Sequence, residues 1–94
     1  MIDINAYKGI SPAKIIVREL EKRKMTQRDF SHQVGIHFQT LNNIINGRRK
    51  LTLDQALKIE NKLGLEEGSL MILQLYNDIE ARKTSSANAR QDPS

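Results

Sequence analysis

The chain contains no cysteine and no tryptophan, and only two prolines and five glycines among 94 residues. Without cysteine there can be neither a disulfide nor a thiolate-bound metal. No apolar run approaches the length of a membrane span, and a mean hydropathy of -0.54 with 38% hydrophobic residues describes one soluble domain with a single modest core. The start, MIDINAYKGI, lacks the basic and apolar segments of a secretory leader, so the expected location is cytoplasmic, with no membrane contact. Glycine-rich phosphate loops are missing and no serine occupies a nucleophile elbow. His32 and His37, five positions apart, have no carboxylate at ligand spacing. Neither an enzyme, nor a metal site, nor a cofactor is expected.

A more telling shortage is local. From Ile36 to Gly47 there is no Asp, Glu, Lys or Arg, although charged residues are 28% of the chain. Arg48, Arg49 and Lys50 then arrive together. Charge is also divided along the sequence: Arg18 to Lys50 carries eight Lys/Arg against three acids, whereas Leu51 to Ala81 carries two Lys against six acids. The basic first half suits a polyanionic partner, and the acidic second half argues against a wrap-around basic protein or a membrane-surface peptide.

Helix punctuation is legible throughout. Ser11-Pro12 sets an N-cap before proline at the first helical position, and Ala13, Ile16, Val17 and Leu20 recur on one face, which predicts a helix from about Pro12 to Lys24. Thr26 with Asp29 approximates a capping box for a short second helix that buries Phe30 and Val34 and ends at Gly35. A third helix starts near His37 or Phe38, buries Leu41, Ile44 and Ile45, and stops at Gly47. Thr52 caps a fourth, expected to bury Leu53, Ala56, Leu57 and Leu63 before Gly64. A fifth is expected from about Glu67 to Ala81, opening on an acidic first turn at Glu66-Glu67.

The apolar residues of that fifth helix, Leu70, Met71, Ile72, Leu73, Leu75, Tyr76 and Ile79, form a stripe too wide for one neighbour. Either it lies centrally in its own fold, or Met71, Ile72, Leu75, Tyr76 and Ile79 meet a second copy of the chain. Residues 1–10, where Ile2 and Ile4 alternate like a short strand, read as an N-terminal arm. Residues 11–81 form the folded domain, and 82–94, polar and small, read as a disordered tail.

Residues 26–46 thus describe a short helix, a tight turn and a second short helix with an uncharged outer side. Such a pair is a helix-turn-helix, whose second helix lies in the major groove of DNA. Base edges offer donors, acceptors and thymine methyls, which neutral amides and an exposed aromatic match and a carboxylate beside phosphates does not. Arg48, Arg49 and Lys50 lie where cations reach the flanking phosphates.

The segment MTQRDFSHQVGIHFQTLNNIINGRRKLTLDQALKIENKLG resembles the lambda repressor/Cro-type helix-turn-helix family, also called the xenobiotic-response-element family, and within it the HigA-like antitoxins. The resemblance spans about residues 10–80. It is carried by Thr26-Gln27, Val34-Gly35-Ile36, Gln39-Thr40, Asn43-Ile44-Ile45-Asn46-Gly47, Thr52-Leu53 and Ala56-Leu57. It implies an all-α, five-helix lambda repressor-like domain in which Gln27 clamps a phosphate and braces the reading helix. His37, Phe38, Gln39 and Asn43 fall at the positions that relatives use on bases. Arg28, Thr40, Asn42 and Asn46 fall beside the backbone, with Arg48, Arg49 and Lys50. Phe38 stands where many relatives carry a polar residue, and either reads a thymine methyl or packs on the protein. Ser31 replaces a small alanine common between the two helices, and Ile10-Ser11-Pro12-Ala13 departs from the hydrophobic-His-Pro-Gly start of HigA-like proteins.

What the resemblance implies for function is a homodimeric repressor of its own toxin-antitoxin operon that also neutralises an mRNA-cleaving toxin. Half-site centres about 10 base pairs apart would suit two reading helices in successive grooves. A stand-alone phage-type or metabolic repressor without a toxin shares the same helices. A protein-interaction module that binds no DNA is a further alternative, and the cations beside the amide face weigh against it.

Overall fold

The computed structural model describes residues 10–89, so Met1 to Gly9 of the expected arm, and 90–94 of the expected tail, lie outside the described residues. Five helices follow in order: α1 (Pro12–Lys22), α2 (Gln27–Val34), α3 (Phe38–Ile45), α4 (Leu53–Leu63) and α5 (Ser69–Ala89). Their starts are set by side chains that satisfy first-turn N–H groups. Ser11 Oγ accepts from Lys14 N–H at 3.2 Å ahead of Pro12, and Thr26 Oγ1 accepts from Asp29 N–H at 3.0 Å. Thr52 and Gln55 close a reciprocal capping box at 3.2 and 3.0 Å.

Helix ends are set by a left-handed residue followed by a returning N–H. At the end of α2, Gly35 takes φ 72°, and Ile36 N–H reaches back to Ser31 O at 3.1 Å. The same return ends α1, where Met25 N–H bonds Leu20 O at 2.9 Å and the left-handed residue is Lys24, at φ 52°. The expected run to Lys24 therefore stops at Lys22. Lys24 is a helix former by composition, but its left-handed turn lets the partly buried Met25 pack against the core.

The core gathers Ile15, Ile16 and Leu20 from α1, Phe30 and Val34 from α2, Leu41 and Ile44 from α3, Ala56, Ile59 and Leu63 from α4, and Leu70 and Leu73 from α5. Ile45 is only partly covered. Two expectations for α4 are corrected: Leu53 is 60% exposed and Leu57 36%, and the inward side is instead Ala56, Ile59, Glu60 and Leu63. Ile59 and Leu63 turn the buried side away from Leu53 and Leu57, and Glu60 lies at its edge. Its carboxylate, 1% exposed, accepts Gly68 N–H and Leu70 N–H at 2.8 Å each and so caps α5 from inside. Glu66 and Glu67 precede the helix and form no acidic first turn, and α5 begins at Ser69 after Gly68 takes φ 91°.

At its far end α5 runs eight residues beyond the expected Ala81, to Ala89, so 82–89 of the expected tail are helical. ARKTSSANA has no glycine or proline to break the ladder. Side-chain amides tie α5 to the rest: Gln74 bonds both the N–H and the C=O of Leu51, at 2.8 and 2.9 Å, and Asn77 donates to Ile10 O at 2.8 Å. No helix among the described residues is long and apolar enough to cross a membrane.

Candidate nucleic-acid interface

α2 and α3 pack on one another, with Phe30 and Leu41 wholly buried and Val34, Ile36 and Ile44 nearly so. Ser31, also buried between them, donates its hydroxyl to Arg28 O at 2.6 Å. Its one polar atom is thus satisfied within α2, and serine is accommodated where a small apolar residue would fit. With Leu41 and Ile44 inward and Ile45 at their edge, the 3.6-residue period turns Gln39, Asn42 and Asn43 outward.

Gln39 is exposed at the start of that outer side, and Thr40 and Asn43 are half-buried beside it. His37 is the N-cap of α3: its Nδ1 accepts from Gln39 N–H at 3.2 Å, so the ring is held in place and the other nitrogen remains for a partner. Phe38 is half-buried and its ring carries the Arg28 guanidinium, with the central carbon 4.4 Å from the ring centroid.

Gln27 and Asn42, fifteen positions apart, meet directly. Asn42 Nδ2 donates to Gln27 Oε1 at 3.0 Å, and Asn46 Nδ2 donates to Asn42 Oδ1 at 3.0 Å. This chain joins the first residue of α2 to the last turn of α3 and holds the two helices in register. It occupies both polar ends of the Asn42 amide within the protein, while Gln27 keeps its donor and Asn46 its acceptor for an outside group.

Beyond α3, the N–H groups of Arg48 and Arg49 both return to Asn43 O, at 2.9 and 3.2 Å, which directs a tight turn with both side chains exposed. Gln74 anchors Leu51 at the far side of this turn, so the cationic loop is gripped at both ends. Lys50 is paired with Asp78 of α5 at 3.1 Å, with side chains 72% and 41% exposed. An ion pair this wet contributes at most about 1 kcal/mol, so a phosphate can compete for the lysine.

On α5, Leu75 is 60% exposed and Ile79 46%, with Ile72 and Tyr76 half-buried on the same side of the helix. Met71, grouped with them by sequence, packs against the chain's own core. Sequence reasoning did not find the Arg28–Phe38 stack, the Gln27–Asn42 bond or the Lys50–Asp78 pair. Each joins different helices or a loop and a helix, and no periodicity within one element signals it.

Two helices set by a left-handed glycine, locked by an amide chain, with an uncharged outer face ending in exposed arginines, define a helix-turn-helix domain. The helix-turn-helix family model matches residues 16–70, and the chain belongs to that family. Among solved structures it is similar to a protein from Nostoc punctiforme described as an antidote of a plasmid maintenance system. The two are 26% identical with a TM-score of 0.82, over 87% of this chain and 90% of that one. It is also similar to an addiction module antidote protein of a HigA family from Coxiella burnetii, 26% identical with a TM-score of 0.72, over 90% and 95% of the two chains. No curated protein matches the sequence significantly.

Proposed function

We propose that this protein is a sequence-specific DNA-binding regulator that acts in the cytoplasm as a homodimer, and that it serves as the antitoxin of an addiction module, repressing its own operon and neutralising the partner toxin. One observation carries the DNA-binding reading: the outward side of α3 is free of charge from Ile36 to Gly47, yet rich in amides and bordered by exposed Arg48 and Arg49. A solvated face gains nothing from excluding charge, whereas a face pressed among base edges does. His37, Phe38, Gln39 and Asn43 would meet bases. Gln27, Thr40, Asn46, Arg48, Arg49 and Lys50 would meet the backbone, and Asn42 would act through its bond to Gln27.

Supporting the dimer are Ile72, Leu75, Tyr76 and Ile79, spaced as one helical stripe and directed away from the chain's own core. A twin copy laid on it would bring two reading helices to one duplex. Footprinting on the DNA upstream of its own gene is expected to protect two half-sites about one helical turn apart. Leu75→Asp with Ile79→Asp is expected to sediment as a monomer and to bind that fragment about 100-fold or more weaker, the avidity of the second subunit being lost. A dimeric variant with unchanged binding would refute this interface.

Support for the antitoxin role comes from likeness to the two antidote proteins over nearly the whole chain. Co-expression with the product of the adjacent open reading frame tests it. Growth arrest by that product alone, relieved by this protein in a stable complex, is expected. No arrest and no complex would leave a stand-alone repressor.

A further inference from the structure

The face of the Phe38 ring is covered by a cation. Arg28 is the second residue of α2, and its guanidinium carbon lies 4.4 Å from the ring centroid, which places the charge over the first residue of α3 and not outward from the start of α2. His32, one turn further along α2, joins Arg28, His37, Phe38 and Gln39 in walling a cleft of about 580 Å³ between α2 and the start of α3. Arg28 is exposed there, and no acid is paired with it among the described residues.

A guanidinium held over a ring face keeps its N–H donors in one rigid planar fork, and those that do not meet the ring remain for a partner. That fork supplies what α3 lacks. The amides of Gln39 and Asn43 match the donor and acceptor of adenine, but no residue between Ile36 and Gly47 offers a cationic fork of two parallel donors for the two adjacent acceptors, O6 and N7, that guanine displays in the major groove. The stack sits at the N-terminal end of the reading helix, the end whose residues meet base edges.

The geometry points to Arg28 as a base-reading residue that takes the O6/N7 edge of one guanine in each half-site, with Phe38 as its positioning platform. This rests on the reading of the protein as a DNA-binding regulator and moves Arg28 from the backbone role its place on α2 implies. The aromatic surface of Phe38 is then committed to the arginine and not to a thymine methyl.

Site selection from a randomised duplex library, run at one salt concentration with wild type, Arg28→Gln, Phe38→Ala and Phe38→Tyr, tests it. Wild type is expected to select guanine at one symmetry-related pair of positions, by on the order of 10- to 100-fold over other bases. Arg28→Gln is expected to lose that preference or turn it to adenine, with every other selected position unchanged. Phe38→Ala should weaken the guanine preference and Phe38→Tyr restore it. Guanine selection that survives Arg28→Gln, or an affinity loss spread evenly over all sequences, overturns the assignment in favour of a phosphate contact. Guanine selection unchanged in Phe38→Ala removes the platform. A wild type that selects no sequence overturns the DNA-reading function itself, and this inference with it.

Discussion

Replacing Gln39 and Asn43 together by alanine is expected to remove most of the preference of the protein for its own promoter fragment over unrelated DNA. Both side chains stand on the outer side of α3, and the residues that hold the helix in place, Leu41 and Ile44, are untouched. Each amide that pairs with an adenine is worth about 1–3 kcal/mol of discrimination. Two amides in each of two subunits account for a large share of the roughly 4–10 kcal/mol that separates specific from non-specific binding in proteins of this kind. A loss of about 1,000-fold or more at constant salt is the expected result. The salt dependence should stay as it was, because no charge is removed. Arg48→Ala with Arg49→Ala is the control: it should weaken all sequences alike and flatten the salt dependence. Equal affinity of wild type and the double amide variant at matched salt would take the reading role away from α3.

Glu60→Ala is expected to be strongly destabilising although it removes a charged residue. The carboxylate is 1% exposed and no cation is paired with it among the described residues. Its charge is met instead by Gly68 N–H and Leu70 N–H at the start of α5, 2.8 Å from one oxygen each. Truncation leaves two buried donors without acceptors, at about 1–3 kcal/mol each, and a cavity besides. Relief of the cost of burying a carboxylate offsets part of this. A net loss of about 3 kcal/mol, or about 12–24 °C in Tm for a domain of this size, is expected in denaturation at matched protein concentration. Glu60→Gln keeps the shape but turns an NH2 group toward one of the two donors, so it should recover only part of the loss. Loosening α5 would also misplace Leu75 and Ile79, so dimer dissociation should rise in the same variants. A change below about 0.5 kcal/mol in both variants would mean that the carboxylate does not anchor α5.

Much of this architecture was legible because it is local. Ser11-Pro12, Thr26 and Thr52 each bond a backbone group within three residues, so cap and helix start can be read together. Gly35 needs only its own backbone to turn left-handed, and α2 ends there as expected. The grouping of Gln39, Thr40 and Asn43 on one side of α3 follows from the helical period once Leu41 and Ile44 are taken as inward, whereas His37 is exposed because it caps the helix from outside the period. The reading of α4 failed where it took Leu53 and Leu57 as inward and named neither Ile59 nor Glu60. Ile59 and Leu63 carry the buried side away from the two leucines, and Glu60 joins it because N–H donors at the start of α5 require an acceptor inside. The end of α1 failed in the same way, since the left-handed turn at Lys24 lets Met25 pack against the core.

From its own order of residues the chain determined five helices, their caps, and a neutral strip followed by cations, since each depends on groups a few positions apart. The partners of Arg28, Gln27, Lys50 and Glu60 were decided only when the helices packed. Those contacts span 8 to 28 positions, and the distances between side chains so separated are set by how the helices cross, which no local period encodes.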